Sequence, residues 1–111
     1  MKPKPIFKDS VHFKYDDLYL YSLGAPSGND ILNTCTNIAH MLIKKNIAYG
    51  DSALNPVRIF SKADPVEQLR VRIDDKLSRL MKGTEYIGDN DIDDLIGYLV
   101  LLKIAKEKNV N

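Results

Sequence analysis

Apolar residues along this chain return every three or four positions in three long stretches, the repeat of a helix with one face turned toward a core. In the first stretch, Ile31, Cys35, Ile38 and Leu42 share a stripe joined by Leu32, Ala39 and Ile43, which predicts a helix over 30–46. In the second, Val66, Leu69, Ile73, Leu77 and Leu80 form one narrow stripe and predict a helix over 65–82. In the third, Ile92, Leu95, Ile96, Leu99, Val100, Leu102 and Ile104 cover most of the circumference. A helix over 91–108 is therefore expected to sit centrally or to be buried on two sides.

The boundary residues agree with these periods. "GAPSGND" (24–30) reads as a loop in which Asn29 or Asp30 caps the first helix. Lys44 and Lys45 suit the negative end of its dipole, and Gly50 terminates it. In "DPVE" (64–67), Asp64 caps, Pro65 takes the first helical position and Glu67 completes a capping-box arrangement. Gly83 stops that helix, "TEYIGDN" (84–90) connects, and Asn90 or Asp91 starts the next. "PVRIFSKA" (56–63) is expected to form a short helix. Residues 1–28 are the least regular part: Val11, Phe13 and Tyr15 alternate with His12 and Lys14 as in an extended arm, and 15–23 allows one or two helical turns. Together these readings give an all-α fold in one domain, 1–111. It is a small helical bundle of three long helices plus short ones (29–108), preceded by an irregular N-terminal arm (1–28).

Charge and composition narrow the function. The chain has 111 residues and a net charge of +1, which argues against general nucleic-acid or membrane-surface binding. The apolar run Leu95–Leu102 is too short to span a bilayer. Met1-Lys-Pro-Lys-Pro lacks a secretory core, and Cys35 is the single cysteine, so a reducing, cytoplasmic location is expected. The charge is unevenly spread. Residues 41–82 hold nine Lys or Arg against five Asp or Glu, and residues 83–94 hold five acids and no base. Such neighbours suit a phosphate and a cation, although two solvated helix faces account for them equally well.

Several motifs bear on chemistry. "GAPSG" is not a P-loop, because the GxxxxGK[ST] pattern is absent. His12 and His40 have no zinc-type spacing with Cys35. In "RVRIDDKLSRL" (70–80), Arg70 and Lys76 flank the apolar stripe, whereas Asp75 and Arg79 point mostly away and can pair at i, i+4. Arg79 offers a fork for phosphate oxygens and Lys76 a point charge. In "DNDIDDLIGYLVLL" (89–102), Asp94, Gly97, Tyr98 and Leu101 make a second face at i, i+3, i+4, i+7. Asp91 lies one turn before Asp94, a spacing that can share Mg2+ or simply favour the helix N-terminus. Gly97 inside a helix costs about 1 kcal/mol relative to Ala, which close approach of a helix, subunit or ligand would explain.

"KKNIAYGDS" (44–52), "RIDDKLSRL" (72–80) and "DIDDLIGYLVLL" (91–102), in that order, resemble a family of short phage and bacterial proteins known as nucleotide modification associated domains. The last motif is also similar to a helix of MazG-type all-α nucleotide pyrophosphohydrolases, with Asp91 and Asp94 matching their acidic pair. The resemblance covers about residues 38–106. It implies a helical fold, a nucleotide-like small molecule as ligand, possible Mg2+, and a homo-oligomer, at least a dimer, assembled around the site. Two positions depart from the pattern. Ala48 stands where the family usually has Asp before Tyr-Gly, and Asp74 and Asp75 are adjacent where the pyrophosphohydrolases have a Glu pair on a helix.

On this resemblance Tyr49 stacks on a base, Asp51 and Ser52 bond a sugar or base, and Lys45 meets phosphate. Arg70, Asp75, Lys76, Arg79, Asp94 and Tyr98 complete the expected ligand set, with Arg79 expected to matter more for phosphate than Arg72. The first functional expectation is a phage-type protein that binds a phosphorylated nucleotide without turnover, sequestering a host immune signal in the host cytoplasm. The alternative is a Mg2+-dependent nucleotide pyrophosphohydrolase or nucleotide-modification enzyme, with metal on Asp75, Asp91 and Asp94. An assembly module without a small ligand is the third reading.

Overall fold

A computed structural model of the chain describes residues 15–83 and 90–109. Among these residues there are four α-helices: α1 (Tyr15–Leu23), α2 (Gly28–Ala48), α3 (Pro65–Lys82) and α4 (Asp91–Asn109). The all-α expectation holds, and the three long helices fall within about two residues of their predicted limits. The alternation at Val11 and Phe13, together with His12 and the connection at 84–89, lies outside the described residues. No described helix is long and apolar enough to cross a membrane.

Local chemistry sets most of the helix ends. The Asp64 carboxylate accepts a hydrogen bond from the Glu67 backbone N–H at 2.9 Å, and Pro65 opens α3 without wasting a donor. Gly83 ends α3 at φ 67°, its N–H directed at the Arg79 and Leu80 carbonyls. Asn90 caps α4 by accepting from the Asp93 N–H at 3.0 Å. At the end of α2, Gly50 takes φ 62°. Its N–H reaches the Ile47 carbonyl while the Asp51 N–H reaches back to Asn46, the two bonds of a Schellman closure.

Two expectations about local structure are corrected. α2 begins at Gly28, ahead of Asn29 and Asp30, with the Ile31 N–H bonded to the Ser27 carbonyl at 3.0 Å. Residues 56–63 are not helical. Pro56 has no N–H to give, Arg58 sits at φ 61°, and its guanidinium bonds the carbonyls of Lys62 and Ala63 at 3.2 Å each. A side chain satisfies those carbonyls where a helix would have used backbone N–H groups.

The chain divides into two compact units, Met1–Ala39 and His40–Asn111, with the boundary inside α2. In the first unit Leu32 and Ser22 are buried. In the second, α3 and α4 pack against each other, with Lys76 and Arg79 in the later half of α3 meeting Asp91 in the first turn of α4, and Leu69 and Ala105 are both nearly inaccessible. The predicted α3 stripe is buried mainly at its start. Leu69 is enclosed, Val66 and Ile73 are half-buried, and Leu77 and Leu80 are exposed. α4 is likewise not enclosed: Ile92, Leu99 and Val100 remain exposed. Its apolar circumference exceeds what α3 alone can cover.

Gly28 marks the closest backbone approach in the first unit. A Cβ placed there would lie 2.1 Å from the Ser22 carbonyl oxygen, so the turn between α1 and α2 tolerates no side chain. Gly28→Ala is expected to lower stability by about 1–3 kcal/mol despite its better helix propensity. A urea unfolding midpoint equal to that of the unsubstituted protein would contradict the close packing.

Candidate functional site

The buried polar cluster of the second unit lies where α3 and α4 meet. Lys76 is 8% exposed and Asp91 1% exposed. The Lys76 ammonium donates to Asp91 Oδ1 at 3.3 Å and lies 3.0 Å from Asp94 Oδ2. Arg79 approaches Asp91 from the same flank of α3 at 3.8 Å, and Lys45 reaches across from α2 to Asp94 Oδ1 at 3.1 Å. Asp91 and Asp94 occupy the first turn of α4, where the helix dipole favours negative charge.

These contacts shift both partners. Burial works against the Lys76 charge, but its hydrogen bonds to Asp94 and Asp91 outweigh it and hold the ammonium above the usual lysine value of 10.5. Burial likewise opposes the Asp94 charge, and the hydrogen bonds from Lys76 and Lys45 outweigh it, so the carboxyl titrates below its usual 3.8. The Lys76 ammonium and the Asp94 carboxylate thus stay ionised at neutral pH.

The end of α2 is organised by Asp51. Its carboxylate accepts from the Asn46 side-chain amide at 2.7 Å and from that of Asn55. These two donors, Asn46 first, hold the carboxyl below the usual 3.8 although it is solvated. Its carbonyl takes the N–H groups of Leu54 and Asn55. "KKNIAYGDS" is therefore a helix terminus and a structured turn at once, and the turn is fixed by the residue after the glycine.

Between the end of α2 and the outer face of α4 lies a recess of about 190 Å³. Met41, Leu42, Gly97 and Leu101 contribute apolar lining, and Asn46, Ser52 and the charged side chains polar lining. Gly97 admits α2: a Cβ there would stand 2.7 Å from Leu42 Cδ2. Arg72 enters from α3 with its guanidinium carbon 5.9 Å from the centre of the Tyr98 ring, within reach of a cation–π contact.

Six of the ten residues expected at a ligand line this recess: Lys45, Tyr49, Asp51, Ser52, Asp94 and Tyr98. Lys76 stands behind Asp94. Arg70, Asp75 and Arg79 do not line it. Arg70 pairs with Glu67 at 2.6 Å on the surface, and among the described residues Arg79 has its ion pair with Asp91 and none with Asp75. Asn46 and Arg72 also line the recess, although Asn46 is absent from the expected ligand set and Arg72 was expected to matter less than Arg79. A signal for Arg72 was present, since Arg72, Lys76 and Arg79 follow i, i+4, i+7 and share one flank of α3.

The metal reading meets an obstacle in the same contacts. A divalent cation on Asp91 and Asp94 would have to take the place held by the Lys76 ammonium, and Asp75 is not part of the cluster. No group of three or more His, Cys, Asp or Glu able to hold a metal is found among the described residues. As arranged, these side chains do not fit a Mg2+ site.

The pKa shifts have a signed consequence. Asp94 contributes stability that is present above its ordinary value of 3.8 and lost as pH falls through its lower folded value. Lys76 contributes stability that is present below 10.5 and lost as pH rises through its higher folded value. These two contributions are expected to stay level between about pH 5 and pH 10 and to decline on both sides. Asp94→Asn should flatten the acid decline in urea titrations, and an unchanged acid limb would show that Asp94 is not the group responsible.

No protein-family model matches the chain, and no curated protein or solved structure is significantly similar to it.

Proposed function

We propose that the second unit binds a nucleotide-like ligand in the recess beside α4 and holds it without turnover. One observation carries this reading. Apolar side chains, an aromatic ring at Tyr98, hydrogen-bonding groups at Asn46, Asp51 and Ser52, and cations at Lys45 and Arg72 line one recess. That combination suits a heterocyclic base joined to a sugar and a phosphate. The likeness of three sequence motifs to nucleotide modification associated domains supports the same class. In a phage-type protein the corresponding role is sequestration of a host nucleotide signal.

Binding is favoured over hydrolysis by the place of Lys76. Water activation by metal needs carboxylates that face a cation site, and here Asp91 and Asp94 both face the Lys76 ammonium. The deciding experiment incubates the protein with a nucleotide panel and Mg2+, then separates bound from released material by chromatography. Intact nucleotide released on denaturation is the expected result, and conversion to product would establish the pyrophosphohydrolase instead. Tyr98→Ala is expected to weaken the best ligand by about 5- to 150-fold through lost stacking.

A second copy of the chain closes the site in this proposal. Ligand pockets usually enclose about 300–1,000 Å³, and the recess offers about 190 Å³. On α4, Ile92 and Leu99 are 59% and 48% exposed, apolar surface of the kind that subunit contacts cover. Sedimentation at micromolar concentration is expected to give a dimer or larger species. A particle of 12.6 kDa would refute it.

A further inference from the structure

We propose that the recess takes a ligand presenting one negative charge, a phosphodiester in contrast to a polyphosphate, and that Arg72 is the residue that anchors it. The inference rests on the nucleotide reading above and narrows its ligand class.

The balance of charge around the recess motivates it. Its lining holds two cations, Lys45 and Arg72, and two carboxylates, Asp51 and Asp94. Both carboxyls titrate below their usual value, so both are ionised at neutral pH. Lys45 is already committed to Asp94 at 3.1 Å. Lys76, outside the lining, lies between Asp91 and Asp94. Arg72 differs from both. Its contact is the Tyr98 ring, and it makes no ion pair with a described residue. Its planar fork can meet two oxygens of one phosphate at once. The same guanidinium, 5.9 Å from the ring centre, places that phosphate beside the group expected to contact the base. A diester presents one charge to one guanidinium. The further phosphates of a triphosphate would face Asp51 and Asp94 with no uncommitted cation from this lining to offset them.

The test uses adenosine and guanosine in four forms: the bare nucleoside, the 5′-monophosphate, the 3′,5′-cyclic monophosphate and the 5′-triphosphate. Affinities are measured by titration calorimetry on the intact protein without added metal, at two salt concentrations. For whichever base binds, the cyclic diester is expected to bind about tenfold or more tighter than the triphosphate. Its affinity should fall no more than about fourfold between about 50 and 200 mM salt, as for a single ion contact. Arg72→Gln should weaken the diester by about 10- to 100-fold and bring it close to the bare nucleoside. Arg72→Lys should recover only part of the loss. Circular dichroism and thermal unfolding of both variants separate a binding effect from a folding one. A triphosphate that binds tighter than the diester would overturn the single-charge inference while leaving the nucleotide reading intact. Diester affinity unaffected by Arg72→Gln in a folded protein would remove Arg72 as the anchor. Failure of every nucleotide and nucleoside to bind would defeat the nucleotide reading and this inference with it.

Discussion

The Lys76 ammonium, held between Asp91 and Asp94, is the contact on which the second unit depends. It joins the middle of α3 to the first turn of α4 and is almost wholly removed from water. Burying an ion is costly, and the cost is met only when the partners are close and well aimed. Removing one partner from such a group typically destabilises by about 3–5 kcal/mol, because the other is left charged and buried. The pairing also sets direction. A one-turn slip of α3 along α4 would carry Lys76 away from both carboxylates, so the ion group fixes the register that apolar packing around Leu69 and Ala105 would leave less defined.

That register builds the recess. Once Asp94 is placed against Lys76, Tyr98 and Leu101 follow on the same face of α4, and Gly97 opens the space into which Leu42 fits. Lys45 bridges to the remaining oxygen of Asp94, bringing the end of α2 to the same edge. As a half-exposed pair it adds little stability, and its consequence is geometric: Lys45 is held at the recess by the carboxylate that also neutralises it. Asp94 therefore serves both the fold and the site, which links the protonation of one carboxyl to each of them.

The apolar side chains are unevenly used. Among the described residues, Leu32, Leu69 and Ala105 are the buried hydrophobic ones, while Phe60 is 96% exposed and Met81 88%. Scattered apolar exposure is ordinary on soluble domains, but on α4 the exposed residues continue a helix that is apolar over most of its circumference. α3 covers one side of α4 and Leu42 of α2 meets it at Gly97, yet Ile92 and Leu99 stay exposed, and that surface is what the proposed second copy would cover.

Much of the fold was legible in the sequence because helix ends are settled within a few residues. Asp64 and Pro65, Asn90, Gly50 and Gly83 each act on backbone groups no more than five positions away, so their residue types alone mark where helices start and stop. The face Asp94, Gly97, Tyr98 and Leu101 was equally readable, since helical spacing needs no partner to define it. What pairs with what was not readable. Arg72, Lys76 and Arg79 share one flank and one sign of charge, and nothing local says which of them is buried, which meets the Tyr98 ring and which turns to Asp91. The segment 56–63 misled for a related reason: its residue pattern permits a helix, but Arg58 spends its guanidinium on the carbonyls of Lys62 and Ala63. The sequence by itself determined the elements and their faces, through contacts within a turn or two of helix. Only the tertiary structure decided which like-charged side chain met which carboxylate, because that depends on the register of α3 against α4.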